Sequence, residues 1–156
     1  MTVPTKSSGI APDVVIRNLT TADVPAILKI LQESPEAAPW STESLLASTE
    51  LEAWIAHLDG YIAGFLIGRI AADEFEILNM AVSRAHRRFG VASKLLESAV
   101  KFSQNADATR AYLEVRASNA AAIALYTRRG FTQCGRRPNY YPAPIEDAIL
   151  LSLSLS

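Results

Sequence analysis

The sequence predicts a mixed α+β fold, and three observations carry that reading. Asp59-Gly60 stands between two apolar runs, a hairpin signal because both central turn residues need positive φ. Val91 to Phe102 places Val91, Ala92, Leu95, Leu96, Ala99 and Val100 on one helical stripe. Near the end of the chain, Ile149, Leu151, Leu153 and Leu155 recur at period two, which reads as a strand.

The other elements follow in chain order. Val14 to Leu19 is a short β-branched run, read as a first strand. Thr20 or Thr21 caps a helix whose apolar positions are Val24, Ile27, Leu28 and Leu31. Pro25 sits in its first turn, where a missing N–H costs little. Ser34-Pro35 and Pro39 break the chain, and Ser41 or Thr42 caps a second short helix through Leu46. Leu51 to Leu58 and Tyr61 to Ala71 form the hairpin, and Phe75 to Val82 is the next strand. After the Val91 helix come a strand from Arg110 to Val115 and a helix from Asn119 to Arg129. Asn119 is its N-cap, and Gly130 stands just past its end. Phe131 to Cys134 begins a strand, residues 136–144 read as a loop, and Ala148 to Leu155 closes the chain. The order is β-α-α-β-β-β-α-β-α-β-β, one domain over residues 14–156 behind a flexible tail of residues 1–13.

Composition narrows the function classes. The chain has 156 residues, 49% hydrophobic and 20% charged, with net charge -1. That balance fits a globular core and gives no global sign of nucleic-acid or membrane attraction. A single cysteine, Cys134, allows no internal disulfide, and it reads as a small buried hydrophobe in a reducing, cytoplasmic setting. His57 and His86 lack a metal-ligand spacing.

Two segments carry chemistry. In residues 87–96 a strand gives way to Arg87, Arg88 and Phe89, and then Gly90 and the small Ala92 open a helix. Free N–H groups and a partial positive charge at a helix start suit phosphate, and Gly90 lets a ligand approach the backbone. The alternative is a solvated basic loop before an ordinary amphipathic helix. In residues 113–131, Glu114 ends a strand, Asn119 caps a helix, and Tyr126 lies nearly two turns later on the same face. A carboxylate and a phenol are thereby offered to one cleft. The bland alternatives are an ion pair of Glu114 with Arg110 or Arg116, a core role for Tyr126, and a purely capping Asn119.

These residues resemble a known family. Arg87-x-x-Gly90-x-Ala92 is similar to the pyrophosphate-binding signature of the GNAT acetyltransferases. Pro39-Trp40-Ser41, Asn79 to Val82, residues 113–126, Asn139 to Pro142 and Glu146 to Ile149 resemble the ribosomal-protein alanine N-acetyltransferase (RimI-type) family, over roughly Val14 to Leu153. The resemblance implies a GNAT acyl-CoA N-acyltransferase fold, a mixed seven-stranded sheet with splayed parallel strands flanked by helices. It implies acetyl-CoA as co-substrate, with no metal. The pantetheine arm would pair with the backbone of Met80, Ala81 and Val82. The phosphates would meet Arg88, Phe89, Gly90, Val91, Ala92 and Ser93, with Arg87 as added counter-charge. Asn119 would touch the cofactor, Glu114 would accept a proton and Tyr126 would donate one. Ala92 is an allowed variant of the family's second glycine. Phe89 and Ser93 depart from commonly polar and basic residues, which weakens one phosphate contact.

The implied acceptor is the N-terminal α-amine of a protein or peptide, the alanine of a small-subunit ribosomal protein, with no direct nucleic-acid or membrane partner. An α-amine has pKa of about 7.7 to 8.0 against about 10.4 for lysine, so a carboxylate is an adequate base for it. Backbone N–H groups near Val82 would polarise the thioester carbonyl. Trp40, Tyr140 and Tyr141 border the acceptor groove in that family. The other reading of Trp40 is a staple of the helix pair to the core. Acetylation of lysine or a small amine, and a non-catalytic acyl-CoA-binding module, are the competing functions. Oligomeric state stays open.

Overall fold

Seven strands and four α-helices form in the order read from the sequence. They are β1 (Val14–Asn18), α1 (Val24–Gln32), α2 (Thr42–Leu46), β2 (Leu51–Leu58), β3 (Tyr61–Ala71), β4 (Glu74–Val82), α3 (Val91–Asn105), β5 (Arg110–Arg116), α4 (Ala120–Arg129), β6 (Thr132–Pro142) and β7 (Ile145–Ser154). This is a computed structural model, and it describes residues 13–46 and 50–155. The tail expected over residues 1–13 lies, up to residue 12, outside the described residues. The strands make one seven-stranded sheet in the order β1-β2-β3-β4-β5-β7-β6. By contact density the chain divides into Met1–Gly68 with Asn79–Ala99, and Arg69–Leu78 with Val100–Ser156.

In the first unit, Asp59 and Gly60 take φ of 53° and 81°, the left-handed values that the β2–β3 turn requires. β1 pairs antiparallel with β2 from Val14↔Leu58 to Asn18↔Trp54. The core gathers Val24, Ile27 and Ile30 of α1, Leu45 of α2, Ile55, Phe65, Ile67 and Ala81, with Trp40 packed half-buried against it. Trp40 thus staples the α1–α2 segment to the core. Ser41 caps α2 reciprocally, its Oγ accepting from the Ser44 N–H at 3.2 Å while its own N–H donates to Ser44 Oγ at 2.8 Å.

α1 enters through a 3-10 turn, Thr21–Asp23, which carries a tight polar knot. Arg17 donates to both oxygens of Asp23, at 2.8 and 2.7 Å, and its Nε donates to His57 Nε2 at 2.9 Å. The Thr20 N–H donates to Asp23 Oδ2 at 2.7 Å.

In the second unit, β4 runs parallel to β5 from Glu74↔Arg110 to Ile77↔Leu113, and no further pair follows among the described residues. β5 continues to Arg116 beside antiparallel β7. Ala111, Leu113 and Val115 are buried, while Arg110, Tyr112, Glu114 and Arg116 occupy the alternate face of β5. α4 has Asn119 as N-cap, accepting from the Ala122 N–H at 3.2 Å, and ends at Gly130 with φ 109°.

Two sequence expectations need correction here. Residues 136–142 are not a loop but most of β6, an edge strand paired with β7 through two register shifts. An edge strand tolerates Pro138 and Pro142, because a missing N–H there breaks no second ladder. Cys134 is exposed rather than buried, since it lies on that edge beside the first register shift.

The Arg17 hydrogen bonds hold the Asp23 carboxyl down at about 2, against the opposing effect of burial. A depressed carboxylate adds stability that is full above its unfolded value near ~3.9 and is lost as pH falls toward the folded value. The Arg17 side chain is 37% exposed, so screening reduces the gain. Replacing Asp23 with Asn is expected to cost on the order of 1–2 kcal/mol at neutral pH. It should also flatten the acid limb between about pH 4 and 2. Urea unfolding across that range checks both.

Candidate active site

The phosphate-side segment belongs to the first unit. β4 ends at Val82, Ser83 leads into a 3-10 turn (Arg84–His86), and residues 87–90 lead into α3. α3 lies close against β3 and β4 because Gly64 has no side chain. A Cβ there would stand 2.9 Å from the Ala81 carbonyl, 3.2 Å from Val91 Cγ1 and 3.3 Å from Leu95 Cδ1. Arg88 and Gly90 both take left-handed φ, 69° and 80°, and a Cβ at Gly90 would meet nothing within 4 Å. No side chain among the described residues caps the first turn of α3, whose first bond runs from the Lys94 N–H to the Gly90 carbonyl at 3.1 Å. Uncapped amides, an exposed Arg88 and open space at Gly90 together fit an anionic phosphate.

The sequence-derived residues divide by what they can offer. Ala81 and Val91 are buried, so only their backbone is available. Met80, Val82, Phe89 and Ala92 are half-buried, and Ser93 is exposed. The Arg87 guanidinium is already engaged within the protein. Its Nε donates to the Val82 carbonyl at 3.1 Å, and its Nη2 donates to Ser34 Oγ at 3.3 Å and lies 3.6 Å from Glu36. His86 is wholly buried, with Nδ1 2.5 Å from Ser83 Oγ and no partner for Nε2. Desolvation lowers its pKa, against the pull of Glu33 and Asp59.

The carboxylate and phenols belong to the second unit. Glu114 Oε1 accepts from Arg137 Nε of β6 at 3.1 Å, in a pair whose acidic side chain is 17% exposed. Arg137 also lies over the Tyr140 ring at 5.6 Å, and Tyr140 meets Tyr141 edge-on at 5.2 Å. Glu114, as hydrogen-bond acceptor and as a charge, raises the Tyr140 phenol, and Arg137 opposes it. Burial raises Tyr141 and Tyr112, and the Glu114 charge adds to both. Three protonated tyrosines and one arginine thus surround this carboxylate.

Neither arginine expected to pair with Glu114 does so. Arg110 pairs with Glu74, and Arg116 pairs with Glu146 at 3.1 Å while lying 4.3 Å over the Tyr141 ring. Arg137 was overlooked because its segment read as a loop. No alternation along that segment signals a strand, since nearly all of it is exposed.

Tyr126 is buried on α4, edge-on to Phe131 at 5.4 Å, and burial pushes its phenol well above the ordinary value. Its hydroxyl makes no hydrogen bond among the described residues, so its proton is available to a ligand. No hydrogen bond joins it to Glu114 among those residues either. Glu114 projects on the Tyr112 face of β5. The C-terminal end of α4 rests by Gly130 on Leu153, which pairs with Ala111 on the other face. The two side chains are therefore not brought to one cleft as expected, because alternation along β5 turns Glu114 away from the face that carries the end of α4. Asn119 Oδ1 serves as the cap, which leaves its Nδ2 for a ligand.

In sequence and fold the chain is similar to known proteins. A model of the acetyltransferase (GNAT) family matches residues 23–131. The ribosomal protein bS18-alanine N-acetyltransferase of Escherichia coli K12 is 39% identical over 146 residues, 90% of this chain and 97% of that protein. Its Salmonella typhimurium counterpart is 37% identical over 142 residues, 88% of this chain and 95% of that protein. The crystal structure of the Escherichia coli ribosomal-protein-S18-alanine N-acetyltransferase superposes with TM-score 0.83 at 35% identity, covering 92% of this chain and 95% of that one.

The two glycines should separate in experiment. Gly64→Ala forces a methyl onto Ala81, Val91 and Leu95 and is expected to cost about 1–3 kcal/mol in denaturant unfolding. Gly90→Ala meets no neighbour and should cost only about 1 kcal/mol for its left-handed φ. It should, however, shrink the thermal shift produced by CoA.

Proposed function

This chain belongs to the acetyltransferase (GNAT) family, and we propose that it transfers acetyl from acetyl-CoA to the N-terminal α-amine of a protein. The acceptor we assign is the alanine terminus of ribosomal protein bS18, met in the cytoplasm by one catalytic domain spanning residues 14–156. The observation that carries the reading is Glu114. It is a strand-end carboxylate that, among the described residues, is held by one arginine and faced by protonated phenols, on a stretch of β5 paired there with β7 alone.

Acetyl-CoA supplies an acyl group activated as a thioester. The backbone of Met80, Ala81 and Val82 offers strand-like hydrogen bonds to an amide-bearing arm. The first-turn amides from Gly90 to Ser93, with Arg88, hold the phosphates, and Asn119 Nδ2 adds a donor. Glu114 takes the proton that the ammonium must lose, directly or through a water. About a tenth of α-amines are already neutral near pH 7, against well under a thousandth of lysines, so the demand on this base is modest. Tyr126 keeps its proton at every working pH and donates a hydrogen bond to the departing sulfur. Tyr140 and Tyr141, grouped with Glu114, are assigned to the acceptor peptide, as is Trp40.

The test uses a peptide with an N-terminal alanine and the same peptide with that amine blocked, each carrying an internal lysine. Acetylation is expected on the free terminus alone. Modification that persists on the blocked peptide would assign lysine as the acceptor. Glu114→Gln should lower kcat/KM roughly a hundredfold or more at pH 7, with part of the loss recovered above about pH 8, where the amine deprotonates itself. Tyr126→Phe should lower kcat with little change in CoA affinity. Turnover unchanged in both variants would leave only an acyl-CoA-binding module.

A further inference from the structure

Four contacts sew the segment between α1 and α2 to β4 and the turn that follows it. Asn79 Nδ2 donates to the Ala38 carbonyl at 2.8 Å. The Arg84 N–H donates to Glu33 Oε2 at 2.8 Å. Arg87 Nη2 donates to Ser34 Oγ at 3.3 Å and lies 3.6 Å from Glu36 Oε1. The same guanidinium is tied by its Nε to the Val82 carbonyl, so one planar fork spans both segments. The joint is not a loose surface ion pair, because Asn79 and Ser34 are only 5% and 2% exposed. A buried polar group that loses its partner bears its full desolvation cost. Beneath the turn, buried His86 holds Ser83, so residues 83–87 shift together or not at all.

We infer that Arg87 is a positioning residue that couples cofactor binding to the acceptor side. Its guanidinium is committed to Val82, Ser34 and Glu36 rather than to a phosphate. Whatever orders the turn at residues 87–93 therefore also orders residues 33–40, the segment leading into Trp40. Ordering paid for by the first ligand need not be spent again by the second, which gives positive coupling without any large change of shape. Linkage makes the effect reciprocal in the two binding affinities. The acceptor half of this inference rests on the function proposed above, while the joint itself rests on the four contacts.

The test is hydrogen exchange of backbone amides in residues 34–41 and 91–94, with and without CoA. The full chain is compared with its Ser34→Ala/Glu36→Gln variant. In the unaltered chain, CoA is expected to slow both segments, residues 34–41 by about fivefold. In the variant, residues 91–94 should still slow while 34–41 no longer respond. KM for the alanine peptide should rise about fivefold, with kcat at saturating peptide held within about twofold. Equal slowing of residues 34–41 in both proteins, or in neither, would overturn the coupling. A chain that shows the CoA response at 34–41 yet acetylates no α-amine peptide upholds the joint and removes the acceptor assignment alone. If the double variant does not fold, Glu36→Gln at its half-exposed site is measured the same way. Partial loss of the response supports the coupling, and full retention overturns it.

Discussion

The close approach at Gly64 sets where α3 begins. With 2.9 Å between a would-be Cβ and the Ala81 carbonyl, no side chain fits between β3 and the residues packed on it. Val91 and Leu95 fill that space, which brings the first turn of α3 down beside the end of β4. Packing thus fixes the helix start, and among the described residues no side chain caps it, where an ordinary surface helix would use serine or aspartate. Arg88 and Gly90 turn the chain through left-handed φ just before it.

On the other side, one carboxylate organises its surroundings through charge. Glu114 raises Tyr140 directly and adds to the rise of Tyr112 and Tyr141. All three phenols stay protonated and present O–H groups rather than competing negative charge. Arg137 supplies the balancing positive charge from a side chain that is 53% exposed. A half-exposed guanidinium loses little when it swings aside, since such pairs are worth about 1 kcal/mol or less. Under the proposed function, an incoming ammonium could therefore take its place on Glu114 at small cost.

Local signals made much of this legible in the sequence. Asp59-Gly60 marked both strands of its hairpin to the residue, and Asn119 with Gly130 bounded α4, because turns and caps depend on the chemistry of a few neighbours. β6 was not legible as a strand. Pro138 and Pro142 argue against a central strand, and only tertiary position makes them harmless on an edge. The same blind spot hid the Glu114–Arg137 pair, whose members lie 23 residues apart and meet only once β7 is threaded between their strands. Trp40 reads equally well as a core staple or as an acceptor contact, and its packing against the first unit's core shows the staple without bearing on the acceptor. Arg87 read as a phosphate contact from its neighbours in sequence, whereas its partners Ser34 and Glu36 come from α1's end.

In the proposed reaction, the raised phenol of Tyr126 also limits how protons can move. A thiol has pKa of about 8.5 and an ordinary tyrosine about 10, so complete transfer from phenol to thiolate is already uphill before burial raises the phenol further. Burial makes Tyr126 a worse acid but a more certain hydrogen-bond donor, since nothing in the working pH range removes its proton. Its contribution is thus to stabilise charge gathering on sulfur, the kind of preorganised donor that matters most in a dry site. The proton leaving the amine must go elsewhere. Glu114 and its exposed Arg137 partner stand on the other face of β5, with solvent access to carry it off.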